Sequence, residues 1–292
     1  MTDATLPTTG ARALLRDLVT LTKPRIISLL LVTTIAPMFV AGTPTWELVL
    51  VVFVGGYLMA GGANAVNMYL DRDIDDRMAR TRLRPIPSGR MHPREVLAFG
   101  LLLATSATYL LARFANVLTA ALALGGFYSY VFLYTRWLKR STPQNIVIGG
   151  AAGAIPPLVG WAAVTGTVDL MAIYLFLIVF YWTPPHFWAL ALNKQRDYAR
   201  AGVPMAPLVW GEQDTKRQML WYTIALVALT VLPWAMGVLN EFYLASALAL
   251  DALLLRGVVR VLRADDFTGP AWSVYKFSLL YLALLFVAMI FG

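Results

Sequence analysis

The sequence predicts an all-α integral membrane protein of nine transmembrane helices, and three observations predict it. Of 292 residues, 59% are hydrophobic and only 14% charged, with a mean hydropathy of +0.66, which is not the composition of a soluble globular domain. Apolar stretches near the ~20 residues needed to cross a bilayer recur along the whole chain. The loops between them alternate in charge: all but one of the 24 Lys and Arg fall on one side, Arg113 being the exception. The net charge of +8 is accounted for by this orientation and by anionic membrane lipid, with no nucleic-acid partner. The absence of cysteine excludes disulfides, thiolate metal sites and cysteine nucleophiles.

Residues 1–20 read as a polar, disordered N-terminal tail and residues 21–292 as one membrane domain. Span one covers 26–42 and ends in the short turn Gly42-Thr43-Pro44-Thr45. Span two, 47–68, carries Gly56, Ala60 and Asn64 at four-residue spacing, a pattern that permits close helix packing. Spans three and four, 95–112 and 115–134, are joined by a tight connection at Arg113. Span five, 144–164, repeats the small-residue pattern with Gly149 and Gly153, and with Gly150 and Ala154. Span six, 170–192, contains Pro184, Pro185 and His186, and spans seven to nine cover 219–238, 242–262 and 273–291. The positive-inside rule puts the N-terminus and the basic loops in the cytoplasm and the C-terminus on the opposite side, as in a bacterial inner membrane. The long loops 71–94 and 193–218 share that face, and long loops in a compact protein tend to be functional.

The first of these loops opens with Asn67-Met-Tyr-Leu-Asp71-Arg-Asp73-Ile-Asp75. A step of four residues turns a helix by only about 40° away from registry, so Asn67, Asp71 and Asp75 share one face. Convergent oxygen ligands suit a hard divalent cation such as Mg²⁺, which commonly bridges carboxylates and phosphates. The alternative is a solvated loop whose acids pair with Arg72, Arg77 and Arg80. A second copy, Asn193-Lys-Gln-Arg-Asp197, follows at an offset of 126 residues, four spans later and so on the same face. Asp71, Asp75 and Asp197 can supply metal sites. Arg80, Arg84, Lys139, Arg140 and Lys194 can neutralise a departing diphosphate, although topology alone also demands cations there. Tyr134 to Lys139 reads either as an interfacial aromatic belt with a snorkelling lysine or as part of a diphosphate site. His186 is the one histidine inside a span, and an intramembrane ionisable group is a functional candidate. It can contact a propionate, act as a base, touch a metal, or satisfy a carbonyl freed by the two prolines.

The run from Asn67 to Asp75, continued by Asp-Arg-Met-Ala-Arg80-Thr-Arg-Leu-Arg84-Pro85, resembles the first aspartate-rich motif of the UbiA superfamily of intramembrane prenyltransferases. Tyr134 to Ala154, Pro184 to Leu192 and Asp197 to Met205 are similar to the branch of that superfamily that farnesylates a haem, and the likeness spans residues 20–290. The resemblance implies a nine-helix bundle with a central cavity opening toward the cytoplasmic face. It implies Mg²⁺-dependent transfer of farnesyl from farnesyl diphosphate to the 2-vinyl group of haem b, with handover of the product to a haem A synthase. By the same resemblance Asn67, Asp71 and Asp75 form the first metal motif and Asn193 with Asp197 the second. Arg80, Arg84 and Lys139 would hold the diphosphate, and Tyr134, Arg140, Asn193, Lys194 and His186 are the further substrate-binding candidates. Asn193 stands where the superfamily often has an aspartate, which leaves the number of ions open.

Rival readings are a prenyltransferase acting on a quinone precursor or chlorophyll-like pigment, a polytopic transporter, and a non-catalytic assembly factor. A transporter would carry its acids near mid-membrane, whereas these cluster at helix ends.

Overall fold

The computed structural model describes residues 10–292, and among these it holds nine helices long and apolar enough to cross a membrane. The chain opens with α1 (Ala11–Thr22), then α2 (Pro24–Ala41) and α3 (Trp46–Leu70), the first two spans. After a short helix α4 (Arg72–Arg77) come α5 (Pro93–Phe114), α6 (Val117–Ser141), α7 (Asn145–Thr165) and α8 (Leu170–Asn193). Two short helices, α9 (Gln195–Ala201) and α10 (Ala206–Val209), lead to the last three spans, α11 (Glu212–Ala235), α12 (Glu241–Arg263) and α13 (Thr268–Ile290). No strand occurs among the described residues.

All nine spans lie where the hydropathy predicts them, and the chain is a multi-pass integral membrane protein. The ends differ for local reasons. α11 starts at Glu212, seven residues before the apolar run, because Glu212 to Gln218 continue the helix beyond the hydrophobic stretch. Its buried Lys216 donates to the Ala264 carbonyl at 3.2 Å, tying the start of span seven to the end of span eight. α5 starts with a capping box, the His92 ring accepting from Arg94 N and Glu95 reaching back to His92 N. The segment 11–20 is not the disordered tail its polarity suggests. It forms α1, whose buried Asp17 takes two contacts from Arg90 Nε, at 3.0 and 3.2 Å, while Leu21 is fully buried. Leu14, Leu15 and Val19 stay exposed on the other side, as on a helix lying along a membrane surface. Residues 1–9 of the expected tail lie outside the described residues.

The first five spans close into one ring, with α2 packed on both α3 and α7. The last four close into another, with α8 packed on both α11 and α13. The rings join where α7 meets α8 and α2 meets α13, so α7 and α8 are the most enclosed spans. Backbones approach most closely where glycines permit. A Cβ on Gly62 would meet the Gly100 carbonyl at 2.6 Å, and one on Gly160 would strike the Thr34 carbonyl. Of the small-residue positions singled out in the sequence, Gly149 lies under the Tyr134 ring and Gly150 against Thr183, while Gly153 faces open space.

Candidate active site

α3 carries Asn67 and Asp71 to the membrane face, and the helical register continues through the corner. Asp71 N donates to Asn67 O at 2.9 Å and Asp75 N to Asp71 O at 2.8 Å, so the three side chains share one face as their spacing predicts. All are buried, at 4%, 1% and 2% exposure for Asn67, Asp71 and Asp75. Burial at that depth demands partners, and the partners come from distant segments. Lys139 Nζ donates to Asp71 Oδ2 at 2.5 Å. One Arg84 nitrogen reaches both Asp75 oxygens, at 2.8 and 2.7 Å. Arg140 forks onto Asp73 with two 2.8 Å bonds and donates to the Leu70 carbonyl at 2.9 Å. That bond to Arg140 holds the Asp73 carboxyl down at about 2.

α6 reaches this cluster through an unusual geometry. From Ser129 to Leu138 its backbone is a π-helix, a form mostly seen as single-turn bulges at functional sites. The Thr135 hydroxyl donates five residues back to the Tyr130 carbonyl at 2.8 Å and accepts from Asn67 Nδ2 at 3.1 Å. Asn67 Nδ2 also donates to Asp71 Oδ2 at 2.8 Å, while its Oδ1 accepts from Lys23 Nζ at 3.0 Å. Lys23 and Thr135 are therefore part of the site, and sequence reasoning missed both. Lys23 is the sole non-glycine residue at positive φ among those described, at 56°, a strained conformation of the sort that gathers at functional sites. Burial, then the neighbouring Arg84 and Lys139 charges, lower its ammonium to about 7. The Lys23-Pro24 break between a short amphipathic segment and the first span was the one available signal. Nothing in the spacing announces a π-helix.

The other candidates scatter. Arg80 turns to the second loop, its guanidinium 3.4 Å from the Tyr198 hydroxyl and 5.6 Å above that ring. α9 thereby packs on α4, which brings the two acid-amide segments alongside each other. Asn193 bonds back to its own helix at Ala189 O, 3.0 Å, and the half-buried Asp197 has no ion pair among the described residues. Lys194 lies over the Trp272 ring at 5.7 Å. Tyr134 stacks on Tyr130, centroids 5.7 Å apart. His186 sits apart and buried, stacked between Trp182 and Tyr275 at 4.5 and 4.8 Å. Its Nδ1 is 2.7 Å from Ser278 Oγ, whose proton goes to the Tyr275 carbonyl at 2.9 Å. The hydroxyl must then accept from Nδ1–H, which leaves Nε2 with its lone pair. The prolines therefore do not recruit this ring to a freed carbonyl.

No group of three or more His, Cys, Asp or Glu is arranged to hold a metal ion among the described residues, and Lys23, Lys139 and Arg84 bond most of the motif's oxygens. Asp71 Oδ1 is the exception: it is buried without a hydrogen-bond partner, with Arg140 at 3.6 Å. An acid cluster at the end of a buried span, ringed by cations, is a place where an anionic group and a divalent ion can exchange for internal ion pairs.

Comparison with known proteins gives this geometry a context. A "Protoheme IX farnesyltransferase" from Roseiflexus castenholzii is 56% identical over 99% of this chain and 54% of its own length. One of the same name from Symbiobacterium thermophilum is 50% identical over 94% of this chain and 93% of its own. The chain thus spans about half the length of the first curated relatives it matches and nearly all of others. Its fold is that of a digeranylgeranylglyceryl phosphate synthase, with a TM-score of 0.78 at 20% identity, covering 95% of this chain and 98% of that one. It is also that of a UbiA homolog from Archaeoglobus fulgidus bound to DMAPP and Mg²⁺, with a TM-score of 0.66 at 14% identity, covering 94% and 99%. Residues 29–290, all nine spans but for the first turn, match the model of one family, and the chain belongs to the UbiA prenyltransferase family.

Proposed function

We propose that this protein transfers the farnesyl group of farnesyl diphosphate to a vinyl group of haem b, with addition of water, to give haem O. The carrying observation is the buried Asn67, Asp71 and Asp75 face held by Lys23, Lys139 and Arg84. The names of the relatives supply the donor and acceptor. Donor chemistry suits Mg²⁺, since every motif ligand is a hard oxygen and Asp71 Oδ1 is buried without a partner. Asn67, Asp71, Asp75 and Asp197 would hold it, and when bound it neutralises the diphosphate as the C–O bond breaks.

The chain's own groups do the rest. Lys139, Arg84 and Lys23, released from the acids, turn to the diphosphate oxygens and stabilise the leaving charge, joined by Arg80. The allylic farnesyl cation forms in an apolar, aromatic interior that must keep water from it yet admit water to the porphyrin-side cation that follows. The haem vinyl attacks its C1, and water captures the porphyrin-side cation and loses a proton. His186, stacked between Trp182 and Tyr275 with Nδ1 on Ser278, is assigned to the acceptor side of this scheme. The arginine bias supports a cytoplasmic location for the motif face, from which product passes to a haem A synthase through lipid or direct contact.

Mass spectrometry of products from the purified protein with haem b, farnesyl diphosphate and Mg²⁺, beside Asp71→Asn, tests the reading. A Mg²⁺-dependent haem O peak, lost in the variant, is expected. Diphosphate release without haem O would reject the acceptor, and turnover of neither substrate by folded protein would reject the enzyme.

A further inference from the structure

On the same membrane face, away from the acid cluster, Arg256, Arg260 and Arg263 project from the last two turns of α12. Steps of four and three residues keep them within about 60° of one line on the helix. All three are exposed and line a shallow, open surface cavity formed almost entirely by α12, with Pro270 of α13 at its edge. Its floor is apolar, made by Ala252, Leu255 and Val259, and Pro270 of α13 closes its side. The ion pairs of the described residues use Arg84, Arg90, Lys139, Arg140 and Arg217, and among those residues none of these three has a counter-charge. The nearest acids in sequence pair with none of them: Asp251 is buried and accepts from Thr230 and Tyr281, and neither Asp265 nor Asp266 forms an ion pair among the described residues. Asp266 accepts from Thr268 N at 3.1 Å. Lys216 is engaged with the Ala264 carbonyl, under the Phe267 ring.

Arg256 begins about 10 Å below the end of the helix, seven residues in from Arg263. A guanidinium at that depth needs an anion or must snorkel upward. Snorkelling brings it toward the level of Arg260, so that one anion above the apolar trough can be met by guanidinium groups from the same helix face. That combination has one natural complement in a bilayer: a phosphate held above two acyl chains. We propose that this cavity is a binding site for one anionic glycerophospholipid of the motif-face leaflet. Its phosphate sits among Arg256, Arg260 and Arg263, and a chain lies along Ala252, Leu255 and Val259.

Native mass spectrometry of the full-length protein in detergent, titrated with phosphatidylglycerol or phosphatidylcholine, tests it. One phosphatidylglycerol per protein is expected to bind on the order of a hundredfold more tightly than phosphatidylcholine, about fivefold for each arginine near the surface. The triple variant Arg256→Gln, Arg260→Gln, Arg263→Gln should lose that preference. Arg12→Gln, Arg16→Gln, Arg94→Gln, with the same loss of charge on exposed residues elsewhere, should keep it. Ala252→Trp fills the trough without touching a charge and should also abolish the tight site. Equal loss in both triple variants would overturn the proposal in favour of diffuse surface charge, as would absence of preference in the unaltered protein. Competition by inorganic phosphate at equal concentration would reassign the site to a small anion and overturn the lipid.

Discussion

Thr135 orients the Asn67 amide. Its hydroxyl proton is committed to the Tyr130 carbonyl, so it can only accept from Nδ2, which turns Oδ1 toward Lys23. Thr135→Val keeps the shape and strips both bonds, leaving buried polar groups that cost roughly 1–3 kcal/mol. A matching fall in unfolding free energy in detergent is expected, together with weaker Mg²⁺ dependence of turnover, and Thr135→Ser should restore both. A fall in stability with metal dependence unchanged would mean that Thr135 merely packs. The acids of this site were legible in the sequence because helical registry needs only counting. Lys23 and Thr135 were not, since each reaches Asn67 across 44 and 68 residues of chain.

At the scale of elements, small residues behave according to what faces them. Gly160 meets the Thr34 backbone, which cannot move aside, whereas Gly153 faces open space. Gly160→Ala should destabilise by roughly 3 kcal/mol through overpacking, and Gly153→Ala should change stability by less than about 0.5 kcal/mol, read by thermal unfolding of the two side by side. Sequence spacing marked Gly153 as a contact and passed over Gly160. Glycine periodicity reports that a backbone is accessible, and only the neighbouring helix determines whether it is approached. The middle of α1 is held by one buried acid: Arg90→Ala leaves Asp17 without its cation and should cost roughly 2 kcal/mol. Faster tryptic cleavage at the exposed Arg12 and Arg16 would report the helix lifting off. Unchanged cleavage would show that Leu21 and the bonds of Thr22 to Tyr57 and Asn64 hold it without the ion pair.

At the scale of the molecule, the acid face is held by its own cations, so the proposed ligands would have to exchange with internal ion pairs. Mg²⁺ and farnesyl diphosphate together should stabilise the protein by about 2.7 kcal/mol at a hundred times the dissociation constant, visible as a rise in Tm that EDTA reverses. Either ligand alone should do much less, and Asp71→Asn should abolish the effect. Equal shifts with and without metal would remove Mg²⁺ from the proposal. Span number and the common face of the basic loops were determined by the sequence alone, because hydrophobic length and charge bias are local sums that a bilayer reads directly. The helical face of Asn67, Asp71 and Asp75 was determined the same way. Only the tertiary structure decided which cation meets which acid, that α6 passes the site as a π-helix, and that residues 11–20 fold onto Arg90. These are contacts between segments far apart in the chain, where burial forces each charge to find whichever partner the packing of nine helices brings within reach.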